Sequence, residues 1–193
     1  MKQLKTAFLL IIIFSILFGI IYPLAMTGIA NLLFPHRSQG SLIIINRRLF
    51  GSKLVGQQFS SPLYFHGRPS DCNYDAASSA SSNLGPSNPE LFRQVQERII
   101  RVRIENEIAD STKVPADLVL ASASGLDPEI SPQSALLQVA RIAKFRNLPI
   151  ATVQQLIEKY TEQPYISVFG QPRVNVLTLN LALDSIFNQL ERK

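Results

Sequence analysis

Residues 7–34 read AFLLIIIFSILFGIIYPLAMTGIANLLF, uninterrupted by Asp, Glu, Lys, Arg or His. A hydrocarbon core of about 30 Å is crossed by roughly 20 apolar residues in helical form, so this run spans a bilayer with length to spare. Lys2 and Lys5 precede it, and His36 and Arg37 follow. Gly28-Ile29-Ala30 has the small residues of a signal-peptide cleavage site. The apolar part of a signal peptide, however, is about 7–15 residues long, and here apolar sequence continues through Leu24-Ala25-Met26. The expectation is an uncleaved anchor, with residues 1–6 a tail, 7–34 a transmembrane helix and 35–193 one polar domain.

The direction of the span is less sharply written. Lys2, Lys5 and the amino terminus lie on one side, and Arg37, Arg47 and Arg48 lie close on the other, nearly balancing the charge rule. A very short basic tail favours the cytoplasm, which leaves the domain extracytoplasmic. Within the span, Gly19 and Pro23 are the candidates for helix packing. Proline removes a backbone donor and tends to kink a helix, and Gly19 with Ser15 offers a small-residue face.

The rest of the composition excludes several classes. Of 193 residues the net charge is +5, and without Lys2 and Lys5 it falls to +3, with basic and acidic residues interleaved. That is no nucleic-acid footprint. Cys72 is the sole cysteine, so neither an intrachain disulfide nor a thiolate metal site is available. His36 and His66 are the only histidines and have no ligand spacing, so no metal site is expected.

Periodicity past the anchor predicts an α+β domain, with a few strands first and several packed helices after them. Ser41–Ile45, Leu54–Phe59 and Leu63–His66 are strand-like pieces separated by Gly51, Pro62, Gly67 and Pro69. Residues 71–88, DCNYDAASSASSNLGPSN, have linker composition, yet Tyr74 and Leu84 offer anchors for an ordered loop. Asn88-Pro89-Glu90 caps a helix reaching about Ile108, on whose apolar face lie Phe92, Val95, Ile99 and Val102. Val114-Pro115-Ala116-Asp117 opens a short helix through Leu120. Ser131-Pro132 starts another, ended by Asn147 and Pro149. Ile150, Val153, Ile157 and Tyr160 mark a helix stopped by Pro164. Val168-Phe169 reads as a small strand, and Asn175 caps a final helix carrying Val176, Leu179, Leu183, Ile186 and Leu190.

Three stretches invite chemistry. Gly51 and Gly56 have the glycine spacing of a phosphate loop, but Gln57 and Gln58 stand where Lys and Ser/Thr would reach the phosphates. Ser78–Ser82 would need a base such as His66, and no G-x-S-x-G elbow is present. Asp127 and Glu129 flank Pro128 in a turn-rich loop, where structural use outweighs cation binding or acid–base work. Asn180 and Asp184, polar and four apart in a Leu-rich helix, satisfy core backbone groups or form a contact surface. No catalytic residue is assigned.

These loops occur in a particular order. Gly51-Ser-Lys-Leu-Val-Gly56-Gln57 is followed by Tyr64-Phe65-His66-Gly67-Arg68-Pro69-Ser70 and by Ser82-Asn83-Leu84-Gly85-Pro86-Ser87-Asn88-Pro89. Then come Val114–Leu118, Ala123–Pro128, Ile130–Pro132 and Pro172-Arg173-Val174-Asn175-Val176-Leu177-Thr178-Leu179-Asn180-Leu181-Ala182-Leu183-Asp184. Together they closely resemble the C subunit of the bacterial Kdp potassium-transporting ATPase, from the membrane helix to Asp184. Ser81, Glu129 and Gln171 depart from the family's usual glycine, histidine and glutamate.

The resemblance implies an accessory, non-catalytic subunit of an ATP-driven potassium uptake complex in the bacterial inner membrane. Its implied partners are the bilayer, a channel-like potassium-binding subunit and a P-type ATPase subunit. It implies a catalytic chaperone that stabilises the complex and promotes ATP use, with ATP held through the ATPase subunit and no cofactor assigned to this chain. On the family motifs, Asn83, Gly85, Asp127, Arg173, Asn175 and Asn180 are candidates for the subunit interface. The competing reading is a membrane-tethered extracytoplasmic hydrolase.

Overall fold

The computed structural model describes residues 2–45, 47–164 and 170–190. The chain forms two compact units, residues 1–52 and 53–193. The compact division therefore follows Ser52, whereas the end of the apolar run at Phe34 suggested a boundary there.

The first unit holds helix α1 (Lys2–Ile16), a π-helical turn (Leu17–Ile21) and α2 (Tyr22–Leu33). They run on as one helix over Lys2–Leu33, long and apolar enough to cross a membrane. The π turn sits where the sequence demands it. Pro23 has no N–H for the Gly19 carbonyl four residues back, and its ring would collide with that carbonyl in a regular α-helix. The wider turn relieves this, with the Tyr22 N–H bonding the Leu17 carbonyl instead. A one-turn helix α3 (Pro35–Ser38) follows, and then an antiparallel hairpin of β1 (Leu42–Ile45) and β2 (Arg48–Ser52). The sequence reading anticipated β1 but not β2. Gly51 is no strand breaker here, because the register shifts between Ile43 and Ile44 and the bulge absorbs it.

The second unit carries α4 (Pro89–Asn106), α5 (Pro132–Leu137), α6 (Val139–Arg146), α7 (Ile150–Tyr160) and α8 (Val176–Leu190). Strands β3 (Glu129–Ile130), β4 (Thr161–Glu162) and β5 (Arg173–Asn175) form a small antiparallel sheet with β5 central. The mixed α+β architecture is as the sequence predicts. So are three of its caps: Asn88 accepts from the Glu90 N–H, Ser131 from Ser134 and Asn175 from Thr178. Short 3₁₀ turns occupy Ala76–Ser78 and Ala116–Leu118, the second where a short helix through Leu120 was expected.

Several boundaries differ. The helix expected from Ser131 to Asn147 is two, broken at Gln138. α7 yields to β4 at Thr161, before Pro164 is reached. α4 ends at Asn106 because Glu107 adopts the left-handed conformation. Leu54–Phe59 and Leu63–His66 form no strands, and the backbone of Phe65 and His66 is bonded by side chains described below. The small strand expected at Val168-Phe169 lies outside the described residues. The core of the unit gathers Phe65, Ile130, Ile142, Ile157, Val174 and Leu183 from loop, helices and sheet.

Candidate functional site

The segment from Pro62 to Arg68 organises the second unit. Phe65 is 0% exposed, so its backbone groups need partners inside the protein. Asn180 on α8 supplies both. The Phe65 N–H donates to Asn180 Oδ1 at 2.8 Å, and Asn180 Nδ2 donates to the Phe65 carbonyl at 3.0 Å. Gln138 does the same for the next residue: the His66 N–H donates to Gln138 Oε1 at 2.7 Å, and Gln138 Nε2 returns a bond to the His66 carbonyl at 3.1 Å. These two amides act as a side-chain substitute for a neighbouring strand. The turn at Pro62–Tyr64, closed by the Tyr64 N–H on the Ser61 carbonyl at 3.1 Å, and these side-chain bonds at Phe65 and His66 leave the segment outside any sheet.

Two arginines of α6 complete the clamp. Arg141, 4% exposed, donates to the Pro62 and Tyr64 carbonyls, to Gln138 Oε1 and to Asn106 Oδ1. Burial pulls its guanidinium down to about 10, opposed by the negative charge of Glu105. Arg146 donates to the Leu63 carbonyl at 2.8 Å and pairs with Asp184 at 2.7 Å, while its guanidinium lies over the Tyr64 ring. Asn180 and Asp184 thus both grip the same segment from α8, the first through its backbone and the second through Tyr64 and Arg146.

Beyond the clamp, Arg68 pairs with Asp127 at 2.9 Å, and Asp127 Oδ1 accepts from the Glu129 N–H. The turn holding Asp127 is pressed against its neighbours. A Cβ on Gly56 would lie 2.6 Å from the Asp127 carbonyl oxygen, so the glycine of the phosphate-loop-like motif serves close packing. Gly125 has φ +68°, and a Cβ there would fall 2.4 Å from Cys72 Sγ. Arg173 bridges Glu129 at 3.0 Å and Glu162 at 3.3 Å, and Lys53 closes the group on Glu162 at 2.7 Å. Burial raises the Glu129 carboxyl despite Arg173, whereas the hydrogen bond from Lys53 lowers Glu162. Asn175 donates to the Lys53 carbonyl at 2.8 Å.

Residues 71–88 form an ordered loop with fixed contacts. Asp71 accepts from Arg98 and the Ser82 N–H, and Ser79 donates to the Ser124 carbonyl. Next to this loop a cavity of about 320 Å³ is lined by His66, Arg68, Tyr74, Arg98, Arg101 and Glu105, among others. His66 Nδ1 faces Glu105 at 3.5 Å, and its Nε2 faces the Ser61 carbonyl. Each ring nitrogen therefore faces an oxygen acceptor of the protein, and Ser79 is hydrogen-bonded elsewhere. Cys72 sits beside Ser70, whose hydrogen bond lowers the thiol below its ordinary value.

The placements divide the sequence candidates. Asn175 and Asn180 are each 2% exposed, with their amides turned to their own unit. Asn83 and Gly85 are exposed on the loop, and Asp127 and Arg173 lie in partly exposed ion pairs. Sequence reasoning passed over Gln138, Arg141 and Arg146. The signal was present: these polar residues stand among Val139, Ile142 and Ala143, where a buried helix face should be apolar.

Among the described residues, no three His, Cys, Asp or Glu side chains gather as a metal site. What the fold defines is a clamped, internally hydrogen-bonded α+β unit on a chain that begins with one long apolar helix. The family described as "K+-transporting ATPase, c chain" matches residues 4–185. The chain is 48% identical to the potassium-transporting ATPase KdpC subunit of Beijerinckia indica over 189 residues, covering 97% of this chain and 95% of that protein. It is 49% identical to the KdpC subunit of Acidobacterium capsulatum over 188 residues, 96% and 100% of the two chains. With that of Caldanaerobacter subterraneus it shares 44% identity over 182 residues, 94% of each. The chain belongs to the KdpC family of potassium-transporting ATPase subunits.

Proposed function

We propose that this chain is an accessory, non-catalytic subunit of an ATP-driven potassium uptake complex. The observation that carries the reading is the family match over residues 4–185, which takes in both the apolar helix and the clamped unit. In this reading the Lys2–Leu33 helix spans the inner membrane with its amino terminus in the cytoplasm, and residues 53–193 act outside. The helix packs against a channel-like potassium-binding subunit, and a P-type ATPase subunit carries the chemistry.

An outer unit has no direct access to cytoplasmic ATP. Its promotion of ATP use passes through the membrane helices as a bias between global states, a coupling of about 1–3 kcal/mol. Support for a non-catalytic role comes from the side chains themselves. His66, the one histidine of the second unit, is held by Ser61 and Glu105, and Ser79 by Ser124, so the hydrolase reading finds no nucleophile–base pair in them.

The test is deletion of this chain followed by growth at limiting potassium, with pull-down through a tag on the chain itself. Lost growth, restored by the gene, and recovery of two larger membrane proteins are expected. Normal growth without the chain, or turnover of esters or peptides by the purified chain, overturns the proposal.

A further inference from the structure

The hairpin of the first unit presents a surface whose chemistry selects an occupant. A two-stranded sheet is marginal in water by itself, and this one exposes much of its apolar surface. Leu42, Ile44 and Leu49 share one face, with Ile44 paired to Leu49, and these two are 61% and 58% exposed. Ile45 and Phe50 are also exposed. Side chains of this size clustered on so small an element mark an interaction surface.

Charge and connection say what covers it. Residues 1–70 contain no Asp or Glu, while Arg37, Arg47 and Arg48 lie just before and within the hairpin. Arg47 is exposed at the turn and Arg48 is exposed at the start of β2. The hairpin is also fastened to the end of the long helix. The Ser38 N–H donates to the Phe34 carbonyl, the Ser41 N–H to His36 and Ser52 Oγ to the Gly40 carbonyl at 2.6 Å. The Lys2–Leu33 helix rises about 1.5 Å per residue, more than a hydrocarbon core of about 30 Å requires. Its end and the hairpin fastened to it therefore reach the headgroup level.

We infer that the β1–β2 hairpin is a lipid-binding element, which lays Leu42, Ile44 and Leu49 into the interface of an anionic bilayer with Arg47 and Arg48 on the headgroups. An apolar face with a basic rim is what such an interface accepts. The inference rests on the membrane-spanning reading of the helix.

The experiment uses the full chain with Cys72→Ser, carrying a single spin-labelled cysteine at Ile44, Leu49 or Phe14. It is reconstituted in vesicles of phosphatidylglycerol and phosphatidylcholine, and the complete complex is labelled in the same way. Collisions with oxygen report lipid, and collisions with a water-soluble nickel chelate report water. Labels at Ile44 and Leu49 are expected to show an oxygen-to-nickel ratio several-fold above that of a labelled cysteine in water. The docked-to-undocked ratio falls about fivefold for each of Arg47→Gln and Arg48→Gln, the factor for one basic side chain at an anionic surface. Water-like accessibility at Ile44 with Phe14 in hydrocarbon overturns the hairpin proposal alone. Water-like accessibility at Phe14 overturns the span beneath it. Protection of Ile44 from both reagents in the complex assigns the face to a protein partner and also overturns the proposal, as does indifference to both arginine substitutions.

Discussion

Replacing Asn180 with Ala removes both partners of the Phe65 backbone at a position where water has little access. Phe65 is 0% exposed and Asn180 2% exposed, so one N–H and one C=O are left unsatisfied. Each such group costs about 1–3 kcal/mol. Partial entry of water into the vacated space favours the lower half, giving about 3 kcal/mol for the pair. Against a typical total of about 5–15 kcal/mol, that is a large fraction. At a urea slope of about 2 kcal/mol per M, the midpoint falls by about 1.5 M. The chain has no Trp and five Tyr, only Tyr22 of them in the apolar helix. Near-ultraviolet circular dichroism of tyrosine in detergent therefore follows the second unit. Asn180→Asp is the sharper variant. It keeps the acceptor but turns a carboxylate toward the Phe65 carbonyl, so it is worse than Ala at pH 7 and recovers in acid, where a protonated carboxyl can donate. Midpoints within experimental error of wild type for both variants would refute the clamp.

Other perturbations reach different parts of the fold. Gly125→Ala should destabilise by at least about 1–2 kcal/mol from the left-handed backbone alone. Cys72→Ala should recover part of any further loss, because Sγ is the nearest atom to the new Cβ; equal denaturation midpoints for the single and double variants would contradict this. The Glu105 carboxyl is held below its ordinary value chiefly by the hydrogen bond with His66, so its contribution is complete above about pH 4.5 and is lost as pH falls through the lowered value. Glu105→Gln should therefore lower the melting temperature at pH 7 and flatten its fall below pH 4.5, and an unchanged acid slope would count against the pair. A Cβ at Gly19 meets nothing within 4 Å in the chain, so Gly19→Leu should leave the isolated chain folded yet reduce recovery of the complex. Full recovery would remove Gly19 from the helix-packing surface.

Helices were legible where the sequence writes their ends locally. Asn88-Pro89, Ser131-Pro132 and Asn175 each mark a start through a side chain that bonds its own first turn, and Asn147 ends α6 in the left-handed conformation. Extended segments were less so. Period and composition suggest a strand, but they do not say what receives the backbone hydrogen bonds. For Phe65 the answer lies 115 residues away in Asn180, and for His66 it lies 72 residues away in Gln138. The same use of Gln138 accompanies the break between α5 and α6, which no local signal announces. β2 was hidden because Gly51 reads as a turn until the bulge in its register is known. Of the site, Asn180 and Asp184 stood out as polar residues in a Leu-rich helix. Arg141 and Arg146 did not, since charged residues on a helix are usually solvated, and their place among Val139, Ile142 and Ala143 was the one hint that they are buried.

The central claim is that this chain assists catalysis carried by another subunit. Its most direct measurement is potassium-stimulated ATP hydrolysis by the purified complex, assembled with and without the chain, across ATP concentration. The account predicts no hydrolysis by the chain alone, and a complex that without it is less stable and needs more ATP to reach half-maximal rate. An identical ATP dependence and identical stability in its absence would contradict it.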